Sequence, residues 1–368
     1  MFSDMRAENF LSMYIYAEQL VVALQSNGIN GLQAQEFTVA IPKFPFELRK
    51  LGLVLGRYLK YPWQMQRVKG EINHVADHSY GFLTYFLPRR TCVVTCHDLA
   101  PLFVPSNNAP GLLSKLLWLV ALRGTLRATF IIADSAYTRC DLLKHSRYNP
   151  ERIEVIYPGL EKRFAYLRGT PEQHQWEAAF RAEHDLDEAK VILHVGRYSQ
   201  RKNFEGLLYT FAALQIKNPA QTVRLLQVGG KFIPAHYALM QELGILELVI
   251  QIPYIPMDEL PRVYNMAAAL LFPSYYEGFG WPPLEAMACG APVVTSNVTS
   301  IPEVVGEAAL LFGPDDHAGM AVALHNLLTD PLLQTEMVRR GRHRAAEFSW
   351  QRCAEQVYAV YQKLAVTT

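Results

Sequence analysis

The sequence predicts an α/β protein built from two parallel-sheet domains facing across a cleft, and three observations carry that reading. Strand and helix patterns alternate through the second half of the chain, as in a parallel sheet covered on both faces. The first half repeats the alternation less cleanly. The chain has 368 residues, more than one hydrophobic core usually serves.

In order from the N-terminus, Phe10 to Leu24 puts Phe10, Met13, Tyr14, Ala17, Leu20, Val21 and Leu24 on one helical face. Apolar strands fit Phe37–Ile41, Thr91–Cys96, Phe130–Ala133 and Ile153–Ile156. Glu161 to Lys190 is charged, contains Gly169, Thr170 and Pro171, and is the expected junction. Val191–Val195 opens the second sheet, and Phe204, Leu207, Leu208 and Phe211 share a face of the next helix. Val223–Val228 closes on Gly229 and Gly230; later strands fit Leu248–Ile252, Ala269–Phe272, Pro292–Thr295 and Ala309–Phe312. The expected domains are 1–165 and 166–350, with a helix over 351–368 packing back toward the first.

Composition narrows the function. Half of the residues are hydrophobic and 19% are charged, which is globular. A net charge of +1 supplies no global field for nucleic acid. The five cysteines are scattered and odd in number, which fits a reducing compartment. Cys92 and Cys96 lie in one apolar run without partner histidines, so core thiols are expected there rather than zinc ligands. No signal peptide is expected, since Asp4, Arg6 and Glu8 precede any apolar run. Lys115, Arg123 and Arg127 interrupt the most apolar stretch, Leu112–Ile132, so no membrane span is expected and a cytoplasmic protein is.

The chemistry concentrates between Glu277 and Glu285. Gly278 and Gly280 let the backbone bend closely around a ligand. Pro282 and Pro283 fit a helix only in its first turn, and Gly290 suits its C-terminal stop. The helix start then points free N–H groups and its positive end toward the glycine loop. Carboxylates repel phosphate, so the flanking acids suit neutral sugar hydroxyls. Taken by themselves, a solvated Glu and a capping Glu describe the pair as well. Gly196 and Arg197 end the strand Val191–Val195, and Lys202 precedes the next helix. Ligands of open parallel sheets bind at such ends, where an Arg fork and a Lys point charge suit pyrophosphate. By themselves they read equally as a solvated loop.

Three runs together, VGRYSQRKN (Val195–Asn203), PSYYEGFGWPPLEAMACGAPV (Pro273–Val293) and SIPEV (Ser300–Val304), resemble the retaining family 4 (group 1) glycosyltransferases of the GT-B fold. The likeness is dense from Val191 to Asp315. It extends more thinly through His97-Asp98-Leu99, Ala133-Asp134-Ser135 and Val155–Gly159. It implies two Rossmann-like domains. Arg197 and Lys202 would hold the donor pyrophosphate, Glu285 the ribose hydroxyls, and Glu277 the donor sugar near its C3. The amides of Gly278, Phe279 and Gly280, with Gly196 beside them, would line the donor site. His97 would face the donor sugar across the cleft, although a core or loop histidine is the other reading. The resemblance further implies transfer with retention, no metal and no cofactor, the two cations and the helix start replacing a metal.

One feature departs from the family. Its members begin with a strand leading into a glycine-rich loop, whereas here only Met1–Ser3 precede the turn and Arg6–Ser12 lacks glycine. A truncated start and a subfamily variant both stay open, with an incomplete sheet as the expectation. Phe44–Lys69 mixes Arg49, Lys50, Arg57, Lys60, Arg67 and Lys69 with many apolar side chains. It reads either as a solvated basic helix or as a surface for the inner face of the cytoplasmic membrane. Leu112–Arg127 is a second such stretch. Within the family the sequence resembles, among others, mannosyltransferases of surface polysaccharide assembly, which favours GDP-mannose over UDP-sugars as donor and a glycan or lipid-linked glycan as acceptor. A catalytically inactive sugar- or nucleotide-binding partner is the alternative. A dehydrogenase is disfavoured, since no strand leads into G-x-G-x-x-G.

Overall fold

The structure is a computed structural model that describes residues 1–5, 11–26, 32–40, 49–100, 112–217 and 222–367. The Arg6–Phe10 part of the glycine-free segment, the first residue of the expected helix Phe10–Leu24, the strand end Ile41 and the Phe44–Leu48 part of the basic stretch lie outside the described residues. The side chains of Arg49 and Lys50 are likewise outside. The chain divides into two compact units: Met1–Leu99, Asn108–Gly159 and Phe348–Thr368 form one, and the other is built on Leu160–Glu347.

The first unit carries a parallel sheet of four strands, β1 (Asn73–Val75), β2 (Cys92–Cys96), β3 (Phe130–Ala133) and β4 (Ile153–Val155), in that spatial order. Their side chains are mostly buried and apolar, as a sheet covered on both faces requires. β1 was not legible in the sequence, being three residues long with His74 at its centre. The first strand is cut to a stub, a single bridging residue outside the four strands. Phe2 bridges in parallel to both Phe37 and Val75. Its amide donates to the His74 carbonyl (2.7 Å), its own carbonyl accepts from Ala76 (2.8 Å), and Phe37 donates to Met1 (2.8 Å). Met1–Ser3 therefore lies beside β1 as a stub held by these hydrogen bonds, without forming a fifth strand among the described residues.

The helices Leu11–Ser26 and Trp350–Thr367 belong to this unit. The Tyr16 and Trp350 rings meet at 5.7 Å between centroids. The Tyr361 hydroxyl is 2.6 Å from His74 Nδ1, while His74 Nε2 lies 2.7 Å from Thr95 Oγ1. Burial lowers the His74 pKa to about 3, so its neutral ring fastens the C-terminal helix to β1.

The second unit has a six-stranded parallel sheet: β5 (Lys190–Val195), β6 (Val223–Val228), β7 (Val249–Ile252), β8 (Ala269–Phe272), β9 (Val293–Ser296) and β10 (Leu310–Phe312). Their spatial order is β10-β9-β8-β5-β6-β7. The chain builds outward from β5 through β6 and β7, then returns to place β8 on the other flank of β5. The strand order thus reverses between β5 and β8, the place where open parallel sheets bind ligands beyond their carboxyl ends. Gly196 and Arg197 follow β5, and Pro273 to Gly280 follow β8. Phe204, Leu207, Leu208 and Phe211 pack with Ile192, Leu225 and Leu271 in the core beneath.

Candidate functional site

The site in the second unit is built from the ends of β5, β6 and β8. Gly229 and Gly230 leave β6 at φ +98° and +88°, backbone that glycine adopts cheaply. A Cβ on Gly230 would stand 3.3 Å from Arg197 Cα, so the two turns approach closely only because glycine is there. Buried Gln227 ties them, its Nε2 donating to the carbonyls of Gly196 (2.9 Å) and Gly229 (2.8 Å). The Gly196 amide is itself spent on Val228 (2.8 Å), so Gly196 contributes space rather than a donor. Arg197 is exposed at this turn, and no described residue pairs with its guanidinium.

Lys202 and Glu277 meet. The Lys202 ammonium is 2.7 Å from Glu277 Oε1, and Arg201 Nη1 is 3.3 Å from Oε2. Lys202 is only 9% exposed and Glu277 5%. Burial alone would raise the Glu277 pKa, but the Lys202 and Arg201 charges outweigh it and hold the carboxyl below its usual range. Lys202 also lies over the Phe272 ring, 4.6 Å from its centroid. Asn203, at φ +52°, fastens this corner: Nδ2 donates to the Pro273 (3.1 Å) and Pro314 (2.9 Å) carbonyls, and Oδ1 accepts from Gly206 N (3.0 Å).

The loop after Glu277 is clamped from the turn following β9. Thr299 Oγ1 accepts from Glu277 N (3.1 Å), and Ser300 Oγ is within 2.9 and 3.0 Å of the Glu277 and Phe279 carbonyls. The clamp leaves the amides of Gly278 and Gly280 without an acceptor among the described residues. Gly280, at φ +104°, caps the helix Trp281–Ala288, with Pro282 and Pro283 in its first turn. The helix closes by a paired C-terminal motif, Gly290 N donating to Met287 O (3.1 Å) and Ala291 N to Ala286 O (2.8 Å). Phe279 is buried, its ring 5.9 Å from that of Trp281.

Glu285 stands on that helix and accepts from the Tyr264 hydroxyl at 2.7 Å. Burial pushes its carboxyl up to about 7, with the Tyr264 hydrogen bond opposing. Beneath Lys202, His194 is fully buried between Phe204 and Phe272 with both ring nitrogens unpaired. Burial, aided by the Lys202 charge, lowers its pKa to about 3.

In the first unit, His97 follows β2 and is buried. Its Nε2 donates to the Ala76 carbonyl (2.8 Å) and its Nδ1 is 3.2 Å from Asp134 Oδ2. Burial raises the Asp134 pKa to about 7 against the pull of His97, while the Asp134 contact raises that of His97 against its own burial. Both nitrogens of His97 are thus engaged within the unit, and a sugar hydroxyl would have to compete for one of them. Asp134 Oδ1 is buried without a partner.

The basic stretch differs from its sequence reading. Arg57 donates to the Ser79 carbonyl (2.6 Å) and packs 4.1 Å over the Tyr80 ring; Lys60 donates to the Ala40 carbonyl (2.7 Å). These charges are tied into the fold. What the helical segments Arg49–Leu55, Gly56–Lys60 and Tyr61–Met65 expose instead is an apolar row of Leu51, Val54, Leu55, Leu59 and Trp63. Arg67 lies 3.8 Å over Trp63. Among the described residues, no helix is long and apolar enough to cross a membrane, and no three His, Cys, Asp or Glu side chains are placed to hold a metal ion.

Residues 177–344 match the family "Glycosyl transferases group 1", and residues 18–163 match "Glycosyltransferase Family 4". The O-antigen chain mannosyltransferase B of Escherichia coli is 29% identical over 327 residues, covering 86% of this chain and 82% of that protein. Among solved structures, sucrose-phosphate synthase from Thermosynechococcus elongatus aligns with a TM-score of 0.74 at 24% identity, over 96% of this chain and 94% of its own. The Anabaena HepE structure in complex with UDP aligns with a TM-score of 0.72 at 17% identity, over 98% and 99%. These structural likenesses establish the two-domain GT-B fold.

Proposed function

Because this chain belongs to the group 1, family 4 glycosyltransferases of the GT-B fold, we propose that it transfers mannose from GDP-mannose, with retention, to a glycan or lipid-linked glycan. The observation that carries the reading is the clamped Glu277–Glu285 segment. It presents two unpaired amides, a helix start and two acids beside the Lys202 ammonium, with Arg197 open at the neighbouring strand end. The free amides and Arg197 suit the diphosphate, and Glu285 suits ribose hydroxyls. Glu277, held ionised by two cations, keeps lone pairs for the sugar hydroxyls. The mannose assignment draws on the mannosyltransferase relative.

In this reading the bond between the anomeric carbon and the diphosphate oxygen breaks, its electron pair leaving on that oxygen. The acceptor hydroxyl attacks from the same face and gives its proton to the departing phosphate oxygen. Arg197, Lys202 and the helix start stabilise the leaving charge without a metal. His97 contacts the donor sugar, moving its Asp134 or Ala76 bond to do so. The exposed row Leu51–Trp63 would rest peripherally on the inner face of the cytoplasmic membrane, within reach of a lipid-linked acceptor.

Thermal-shift and turnover measurements with GDP-, UDP- and ADP-sugars, in the presence of EDTA, test the reading. Stabilisation and turnover with GDP-mannose support it. A preference for another nucleotide sugar would replace the donor, and loss of turnover in EDTA would remove the metal-free mechanism.

A further inference from the structure

We propose that a pocket on the first unit, where Arg89, Arg147 and Arg152 converge around Tyr148 and Asn149, binds a phosphate-ester anion at a second site apart from the donor residues. The cavity has a volume of about 280 Å³. Arg89 precedes β2, Leu126 and Ala128 of its lining precede β3, and Arg147–Arg152 precede β4. It therefore lies at the amino-terminal edge of this sheet, the opposite edge from His97 and Asp134.

The walls are fixed while the charges stay available. The Tyr148 hydroxyl bonds to the carbonyls of Ala128 (2.8 Å) and Thr129 (3.0 Å). Arg89 Nε donates to the Arg127 carbonyl (3.1 Å), which aims the guanidinium and leaves its two terminal nitrogens free. Arg139 holds the turn behind, donating to the Pro150 (3.2 Å) and Ile153 (3.3 Å) carbonyls. The guanidinium groups of Arg147 and Arg152 make no hydrogen bond or ion pair with any described residue. The acid of the same turn, Glu151, is exposed and pairs with none of the three.

Three guanidinium forks without a carboxylate among them match a phosphate in charge and in donor geometry. The cavity is at the small end of ligand pockets, the size of a headgroup rather than a whole nucleotide sugar. It also adjoins the exposed aromatic surface. Arg127 lies 5.8 Å from the Tyr85 ring, and Gln66 donates to the carbonyl of the neighbouring Phe86. Gln66 in turn follows the helix carrying Trp63. The phosphate can thus come from a lipid headgroup or from a soluble ester.

The full chain is titrated with inorganic phosphate, and separately floated with vesicles of phosphatidylcholine containing phosphatidylglycerol or with phosphatidylcholine alone. The variants are Arg147→Gln, Arg147→Gln with Arg152→Gln, and Arg352→Gln, a loss of one charge elsewhere on the same unit that matches the single variant Arg147→Gln. Nucleotide-sugar binding in each variant reports that the fold is kept. The expected result is binding of at least one probe, weakened roughly tenfold in the double variant and little changed in Arg352→Gln. Vesicle binding alone assigns the lipid source, and saturable phosphate binding assigns the soluble one. Binding of neither probe, or a loss in Arg352→Gln equal to that in Arg147→Gln, overturns the proposal.

Discussion

Lys202 Nζ stands 2.7 Å from Glu277 Oε1, so two residues 75 positions apart form one buried ion pair at the mouths of β5 and β8. The pair couples what the sequence treats as separate, a phosphate cation and a sugar carboxylate. Lys202→Ala is therefore expected to do more than lower turnover. It leaves Glu277 buried with only Arg201, at a cost of about 3–5 kcal/mol in stability. Lys202→Met combined with Glu277→Gln should recover part of that loss. Urea unfolding of the two single variants and the double one measures the coupling, and strictly additive effects would contradict it.

On the proposed donor role of Glu285, donor binding should depend on pH. Its carboxyl is raised by burial to about 7 despite the Tyr264 hydrogen bond, and in the proposed role both its oxygens would accept from ribose hydroxyls when it is ionised. Nucleotide affinity should rise as pH increases from 6 to 8 on the scale of that value. Glu285→Gln should flatten the profile, and Tyr264→Phe should move it to higher pH. Titration calorimetry across the range checks this. Stability of the unliganded chain runs the other way. Between about 4.5 and about 7 the folded state holds a proton that the unfolded chain releases, so the Glu285 contribution falls as pH rises.

His194 should make the second unit acid-sensitive. It is neutral in the fold, with a pKa lowered from 6.5 to about 3 by burial, so the unfolded chain takes up a proton that the folded chain refuses. Stability is then lost as pH falls below 6.5, by up to about 1.4 kcal/mol per pH unit for this one group. His194→Phe should reduce the slope in denaturant titrations between pH 7 and pH 5. An unchanged slope would show that the ring is solvated in solution.

Gly280 carries a backbone requirement rather than a packing one. A Cβ there would meet only Ile301 Cδ1, at 3.8 Å, but φ is +104°. Gly280→Ala should cost about 1–2 kcal/mol, a shift of roughly 2–4 °C per kcal/mol in the melting temperature of the second unit. Nucleotide affinity should fall with it, because the same bend presents the Gly278 and Gly280 amides. Melting curves with and without nucleotide separate the two effects.

Much of the second unit was legible in the sequence because its strands are mostly apolar runs, several of them closed by glycine or proline. Ala269–Phe272 and Val223–Val228 have the expected bounds, and the turn Gly278–Pro283 leads into a helix as its residue types require. β1 was not, since three residues centred on a polar His74 carry no period. The pairing of Phe2 with Phe37 and Val75 was hidden because its partners lie far along the chain. Within the site, residue types announced Arg197, Lys202, Glu277 and Glu285. The side chains that orient them did not announce themselves. Tyr264, Gln227, Arg201 and Thr299 are ordinary in sequence and become informative only through Glu285, Gly196 and Glu277. His97 was placed by its neighbours in sequence, and its engagement by Asp134 and Ala76 needed the fold.

The central claim is that Glu277, Glu285, Arg197 and Lys202 form the donor site of a glycosyltransferase. Steady-state kinetics with GDP-mannose on Glu285→Ala and Lys202→Ala test it most directly. The account predicts a raised donor KM with modest change in kcat for Glu285→Ala, and a kcat lowered by roughly a hundredfold or more for Lys202→Ala, the scale of removing one preorganised charge contact. Wild-type kinetics in both variants would contradict it.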